Sequence, residues 1–247
     1  MVLYVIPDPA PPSPAPLMLV LDYLNGNPTF MANFIYAGQH AAAGEVLAFP
    51  AHQGASWNNG LDTNGNPQID IDFLTHVIAD ATNNLPVDSS NISMTGYSEG
   101  GFMADLFGCT RPDLLAGFGM VAAAQLKTTA CETGTPLKMV IIAGTKDSHV
   151  PYNGFGSLQS APLTLSQWES TDRCSGPETA TTLPTRVNDG TTVVKHQIAN
   201  CPALLYQVVN GGHSWPGSQT TASTVLLGTT SQNIDATSAQ WDFFTGP

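Results

Sequence analysis

Basic residues are the scarcest chemical class in this chain. Seven Lys and Arg stand against 19 Asp and Glu, for a formal net charge of −12. Nucleic acid and anionic membranes both need a basic face, so neither is an expected partner. Long apolar runs are also missing: no stretch of 18 or more apolar residues occurs, which excludes an apolar transmembrane helix. Charge of either sign is thin, and Ser, Thr, Asn, Gln and Gly carry much of the polar surface, a composition compatible with extracellular life. Cys109, Cys131, Cys174 and Cys201 form no C-x-x-C pair, so neither a zinc site nor a thioredoxin-like motif is expected. Four cysteines allow three pairings. The local set, Cys109–Cys131 and Cys174–Cys201, would close two loops of similar length, each stabilising by ~3 kcal/mol on the chain-entropy model. Its formation would indicate a secreted or periplasmic protein; four reduced buried thiols are the alternative. No signal-peptide pattern precedes Met1-Val2, which leads straight into a strand-like run, as in a mature form with an added start. Repeats, low-complexity linkers and a second domain are absent, so residues 1–247 read as one domain with a full core and, as expected, a monomer.

What is present alternates between strand-like and helix-like segments. Residues 2–6 read as a first strand, and 7–16 hold six prolines in ten positions, an extended loop. Apolar runs at 17–21, 44–49 and 137–143 suit strands buried on both faces. Helical spacing marks 30–43, 163–173 and 233–244, and a helix through Phe73, Leu74, Val77, Ile78 and Ala81 with Asp70 or Asp72 as its cap. Residues 51–67 form a long polar loop, and 114–124 give loop and strand. The runs 191–198 and 204–209 suggest a hairpin beside Cys174–Cys201. The expected architecture is a single-domain α/β fold, with a mostly parallel central sheet and helices on both faces. In such sheets ligands bind beyond the carboxyl ends of the strands.

The organising stretch is Asn91 to Met103, N-I-S-M-T-G-Y-S-E-G-G-F-M. An apolar β-prone run leads into Gly96-Tyr97-Ser98-Glu99-Gly100, and helical spacing follows, so Ser98 sits at the tip of a strand-turn-helix. The bland alternative is a glycine-rich turn with an incidental serine. A nucleophilic serine needs a histidine base and an orienting acid, in the order Ser, acid, His for this fold. Three histidines follow Ser98. His149 is two residues past Asp147, and His196 lies inside a strand-like run. His213 follows a strand through Asn210-Gly211-Gly212 and is the expected base. Asp147, just past the 137–143 strand, is the expected acid, with Asp172 and Asp189 as fallbacks. The oxyanion hole should take one backbone N–H from Glu99 and one from Leu24 or Tyr23, after the 17–21 strand. Trp57, Trp215 and Tyr23 are candidates for an aromatic substrate platform, the alternative being that they pack loops onto the domain.

Longer motifs surround these residues: Pro14-Ala15-Pro16-Leu17, Trp57-Asn58, Leu85-Pro86-Val87-Asp88, Gly144-Thr145-Lys146-Asp147 with Val150-Pro151-Tyr152-Asn153-Gly154, and Gly211-Gly212-His213-Ser214-Trp215-Pro216-Gly217. With the elbow, they make the chain resemble, over nearly its whole length, the secreted α/β-hydrolases known as polyhydroxybutyrate depolymerases and feruloyl or acetylxylan esterases. The resemblance implies Ser98, Asp147 and His213 as a catalytic triad and the two local disulfides. It also implies hydrolysis of carboxylic esters through an acyl-enzyme, with no metal or organic cofactor. The expected substrate is a polyester of the polyhydroxyalkanoate or aromatic type, or its oligomers; feruloyl, acetylxylan and short-chain esters are the alternatives. A hydrolase-like binding protein without activity is an alternative of another class. Two departures stand out. The family commonly opens the oxyanion loop with Leu-His-Gly, where this chain has Leu21-Asp22-Tyr23, and often has Asn after the nucleophile, where this chain has Glu99. A carboxylate there would repel an oxyanion, so the Glu99 side chain is expected to turn aside or be paired.

Overall fold

A computed structural model describes residues 1–11, 14–61, 65–129, 131, 136–219 and 227–246. Among these residues nine strands form one sheet in the order β1-β3-β2-β4-β5-β6-β9-β8-β7. The strands are β1 (Val2–Val5), β2 (Ala15–Leu21), β3 (Val46–Pro50), β4 (Val87–Tyr97), β5 (Gly117–Val121), β6 (Lys138–Gly144), β7 (Glu178–Thr182), β8 (Thr192–Ile198) and β9 (Ala203–Val209). The six central strands, β3 to β9 in that order, run parallel. Antiparallel strands close both edges: β1 on β3, and the β7–β8–β9 meander. The mostly parallel α/β sheet and the hairpin at 191–209 agree with the expectation from the sequence. Strand β7 was not expected; its residues are all exposed and show no alternation, so nothing in its pattern marks an edge strand.

Among the described residues six α-helices pack on the sheet: α1 (Pro28–Phe34), α2 (Ala37–Ala42), α3 (Pro67–Asn84), α4 (Glu99–Thr110), α5 (Ala161–Thr171) and α6 (Ala236–Thr245). Alternation along β2 feeds two cores. Leu17, Leu19 and Leu21 meet Leu74 and Val77 of α3, Phe102, Met103 and Phe107 of α4, and Trp168 of α5. Met18 and Val20 face the other way, in a cluster with Met31 of α1, Ala37 of α2 and Phe244 of α6. Each large side chain buried this way stabilises by about 1.5–3 kcal/mol.

Two helix expectations are corrected. The 30–43 segment is two helices, because Tyr36 takes a left-handed conformation (φ 57°) that ends the first and caps the second. The bend lets Met31, Ala32 and Ile35 pack on one helix axis while Ala37 and Ala41 pack on another. The cap of α3 is Asn66, whose side chain accepts from the Gln68 N–H with Pro67 in the first turn. Asp70 instead accepts from the Asn58 backbone (2.6 Å) and side chain (2.9 Å), so it holds the long loop.

The chain moves outward from β2 to β3, then crosses through α3 to β4 on the other side of β2. This reversal opens a crevice at the carboxyl ends of β2 and β4, where Leu21 pairs with Gly96. The disulfides Cys109–Cys131 and Cys174–Cys201 both form, with Cα separations of 4.9 and 5.4 Å. No helix among the described residues is long and apolar enough to cross a membrane.

Candidate active site

Ser98 lies at that crevice, between the end of β4 and the start of α4, with φ 54° and ψ −116°. A side chain in this conformation is strained by ~1–3 kcal/mol and persists only where its surroundings enforce it. The turn is enforced by close packing. A Cβ on Gly96 would overlap the Gly100 backbone, and a Cβ on Gly100 would come within 2.5 Å of the carbonyl oxygens of Leu21 and Asp22. The helix therefore starts directly against the strand ends, with the first N–H groups of α4 turned to the crevice.

The other two expected residues arrive from adjacent loops. Asp147 follows β6, and His213 follows β9, its neighbour in the sheet. Lys146 N–H donates to the Gly211 carbonyl at 2.8 Å, and Gly144 lies so close to the Gly211 and Gly212 carbonyls that a side chain would not fit. The two loops are thus locked together. His213 Nε2 stands 3.0 Å from Ser98 Oγ, and its Nδ1 stands 2.8 Å from Asp147 Oδ2. Asp147 Oδ1 accepts from the backbone N–H groups of His149 and Val150, both at 2.8 Å. Asp147 and His213 are buried. Such a chain of hydrogen bonds can take the proton of the hydroxyl onto the ring while the carboxylate fixes the tautomer. The fallback acids lie elsewhere: Asp189 accepts from Thr191 and Gln232 backbone N–H groups, and Asp172 accepts from Leu137 N–H. His196 pairs with Glu178 at the sheet edge.

Tyr97 is a site residue that the sequence reading passed over, although it adjoins Ser98. It is buried, and its hydroxyl donates to the His213 carbonyl at 2.7 Å. Burial, with the Asp147 charge nearby, pushes its pKa well above the usual tyrosine value, so it stays a donor. His149 is a second addition; its ring lies 4.9 Å from that of His213, on the cleft side. One group of potential metal donors occurs among the described residues, Asp147, His149 and His213, within 4.8 Å of one another. Both Asp147 oxygens in it are already occupied by hydrogen bonds.

A cleft of about 590 Å³ opens over Ser98 and His213. Its wall is an aromatic cluster of Tyr23, Phe30, Phe34 and Tyr97, with successive ring centroids 5.3–6.0 Å apart. Tyr23 and Leu24 line the cleft, and their N–H groups and that of Glu99 meet no acceptor among the described residues. The Glu99 carboxylate is turned aside and held by Asn59 Nδ2. The two tryptophans are corrected as platform candidates. Trp57 is 3% and Trp215 1% exposed, each spending its indole N–H inside the protein, on Asp22 and Thr237 respectively. Trp215 stands behind Tyr97, edge to face at 6.4 Å, so it backs the wall instead of offering a surface. An indole is as well suited to a core as to a platform, and the sequence carries no signal that separates the two.

No family model matches the chain. It is similar in sequence to the putative esterase NocK of Nocardia uniformis subsp. tsuyamanensis, 27% identical over 96% of this chain and 76% of that protein. It is 28% identical to feruloyl esterase B of Piromyces equi over 54% of this chain, which is 28% of that longer protein. Among solved structures, the acetyl xylan esterase from Aspergillus awamori superposes with a TM-score of 0.63 at 16% identity, covering 86% of this chain and 88% of that one. An S-formylglutathione hydrolase from Agrobacterium tumefaciens gives 0.51 at 16% identity, over 69% and 77% of the two chains. The fold is that of α/β-hydrolase esterases, and the sequence relatives are esterases.

Proposed function

We propose that this protein is a serine esterase that hydrolyses carboxylic esters through a Ser98–His213–Asp147 triad and an acyl-enzyme. The observation that carries the reading is the unbroken hydrogen-bonded path from Ser98 Oγ through His213 to Asp147, at the floor of an apolar cleft. His213 Nε2 takes the Ser98 proton as Oγ bonds to the ester carbonyl carbon. The carbonyl oxygen becomes an oxyanion held by the N–H of Glu99 and one from Tyr23 or Leu24. As this tetrahedral species collapses, the C–O bond to the alcohol breaks and His213 returns the proton to the leaving oxygen. Water then gives a proton to His213 and its hydroxide to the acyl carbon, and the second collapse frees the acid and restores Ser98. Asp147 stays ionised throughout and stabilises the imidazolium.

For the substrate we propose a polyester or its oligomers. The support is an open cleft whose rim carries the half-exposed Leu24 and Phe30 and whose wall is aromatic. A second reading, a feruloyl-type aromatic ester, draws on the same wall and on the feruloyl esterase relative. Two disulfides fit action outside the cytoplasm. The test is hydrolysis of p-nitrophenyl butyrate by the parent and by Ser98→Ala, with a hydroxybutyrate oligomer, ethyl ferulate and a terephthalate ester alongside. Activity lost in Ser98→Ala is expected, with the oligomer or terephthalate ester preferred. Undiminished activity in that variant, or none in the parent, would sink the esterase reading. A clear preference for ethyl ferulate would move the substrate to the second reading.

A further inference from the structure

Beneath the loop that follows β2 lies a buried pair of ionisable side chains that the triad does not use. Asp22 is 1% exposed and the His52 side chain 5%, with His52 Nε2 3.6 Å from Asp22 Oδ1. Trp57 donates its indole N–H to Asp22 twice, to the backbone carbonyl at 3.0 Å and to Oδ1 at 3.1 Å. Its ring stands edge-on to His52, centroids 5.7 Å apart. Asp22 Oδ2 and both ring nitrogens of His52 have no hydrogen-bond partner among the described residues. Buried polar atoms without partners work against folding. Three of them in one spot suit a cluster kept for position.

What the cluster can position is set by the chain. Asp22 directly precedes Tyr23 and Leu24, which line the cleft together with Ser98. From one side Gly100 of α4 presses on the Leu21 and Asp22 carbonyls. From the other, Ala55 accepts the Asn25 N–H at 2.7 Å, and a turn from Tyr23 to Gly26 closes the loop. The loop is therefore clamped between the first turn of α4 and the segment after β3, and Asp22, His52 and Trp57 form the inner face of the clamp.

We infer that Asp22, His52 and Trp57 are positioning residues, holding the backbone N–H groups of Tyr23 and Leu24 where the ester oxyanion develops. The inference rests on the serine-esterase reading above. Each of the packed elements brings titratable side chains. Asp22 and Tyr23 come from the loop, His52 from the opposite segment and Glu99, held away by Asn59, from the first turn of α4; Asp105, farther along α4, faces Gln125 and Trp168 instead. Burial pushes the Asp22 carboxyl up to about 6, against the pull of His52 and of the Trp57 hydrogen bond. The buried carboxyl is thus protonated below about pH 6 and charged above it, a change inside the clamp whose burial cost works against the fold as pH rises.

The test has an arm that does not depend on catalysis. The backbone amides of Tyr23 and Leu24 are followed by NMR from about pH 5 to about pH 8, in the parent and in Asp22→Asn. Both amides should shift as the Asp22 carboxyl titrates in the parent and become flat in Asp22→Asn. Flat amides in the parent, or an unchanged titration in the variant, would overturn the clamp. In the second arm, Asp22→Asn and His52→Gln should lower kcat by about 10–100-fold on p-nitrophenyl butyrate, with KM changing by less than about 3-fold. An unchanged kcat, or a loss confined to KM, would also overturn it. Should Asp22→Asn fail to fold, Trp57→Phe removes only the indole donor and must lower kcat by a smaller factor. A parent inactive on every ester sinks the esterase reading in its own assay, with the amide titration still reporting on the clamp.

Discussion

Two buried aspartates, one in a loop past a strand end and one inside a helix, meet opposite fates. Asp147 sits in a loop past a strand end and accepts three hydrogen bonds, from the His149 and Val150 backbones and from His213, all at 2.8 Å. Asp105 sits inside α4, wholly enclosed, with two long contacts of 3.4 Å from Gln125 and Trp168. Burial pushes its carboxyl up to about 7, the two donors only partly opposing it. The difference lies in the backbone. A helix interior has already spent its N–H groups on the preceding turn. A loop at a strand end has free N–H groups that can converge on a carboxylate. An ionised acid is therefore easy to keep at the carboxyl edge of the sheet and hard to keep a few residues into a helix.

Three substitutions sharpen this contrast. The largest effect is expected from Asp147→Asn, which keeps the shape of the loop but removes the charge that fixes the His213 tautomer. The kcat should fall by ~10³–10⁴ with little change in thermal midpoint; a loss below about tenfold would deny Asp147 the role of orienting acid. Asp105→Asn should do the reverse. In the parent, the folded state holds this proton up to about pH 7 while the unfolded chain releases it near the ordinary carboxylate value. Stability from this group is thus full at low pH and drains away as pH rises through 7. Asparagine carries no proton to lose, so the variant should match the parent near pH 4 and exceed it by ~1–3 kcal/mol at pH 8, with kcat unchanged. Denaturant melts at the two pH values decide it. The smallest change is Tyr97→Phe, which removes the hydrogen bond to the His213 carbonyl. It should cost about 1 kcal/mol of stability and roughly tenfold in kcat, read from urea melts and steady-state kinetics.

The same contrast explains what the sequence revealed. Ser98 and its glycines were legible because the turn leaves no room for side chains at Gly96 and Gly100, a demand that writes itself into residue type. His213 was legible because Gly211 and Gly212 carry it past the β6 loop. The two tryptophans were not, since their burial depends on what covers them. Nor was the bend at Tyr36, where tertiary packing forces a left-handed residue that no propensity favours. The Asn66 cap was missed because Asp70 and Asp72 looked equally able to start α3, and only the fold shows Asp70 committed to Asn58. His52 lay in a polar loop with no spacing to connect it to Asp22, thirty residues earlier in the chain.

The two disulfides are consecutive along the chain, Cys109 with Cys131 and then Cys174 with Cys201. Delivered amino end first into an oxidising compartment, the first two thiols can find one another before the third has emerged. Order of arrival alone then selects the native pairing from the three possible ones, and a disulfide isomerase has no wrong pair to correct. Refolding of the full reduced chain, with all four thiols present together, removes that protection and opens the two non-native pairings to competition.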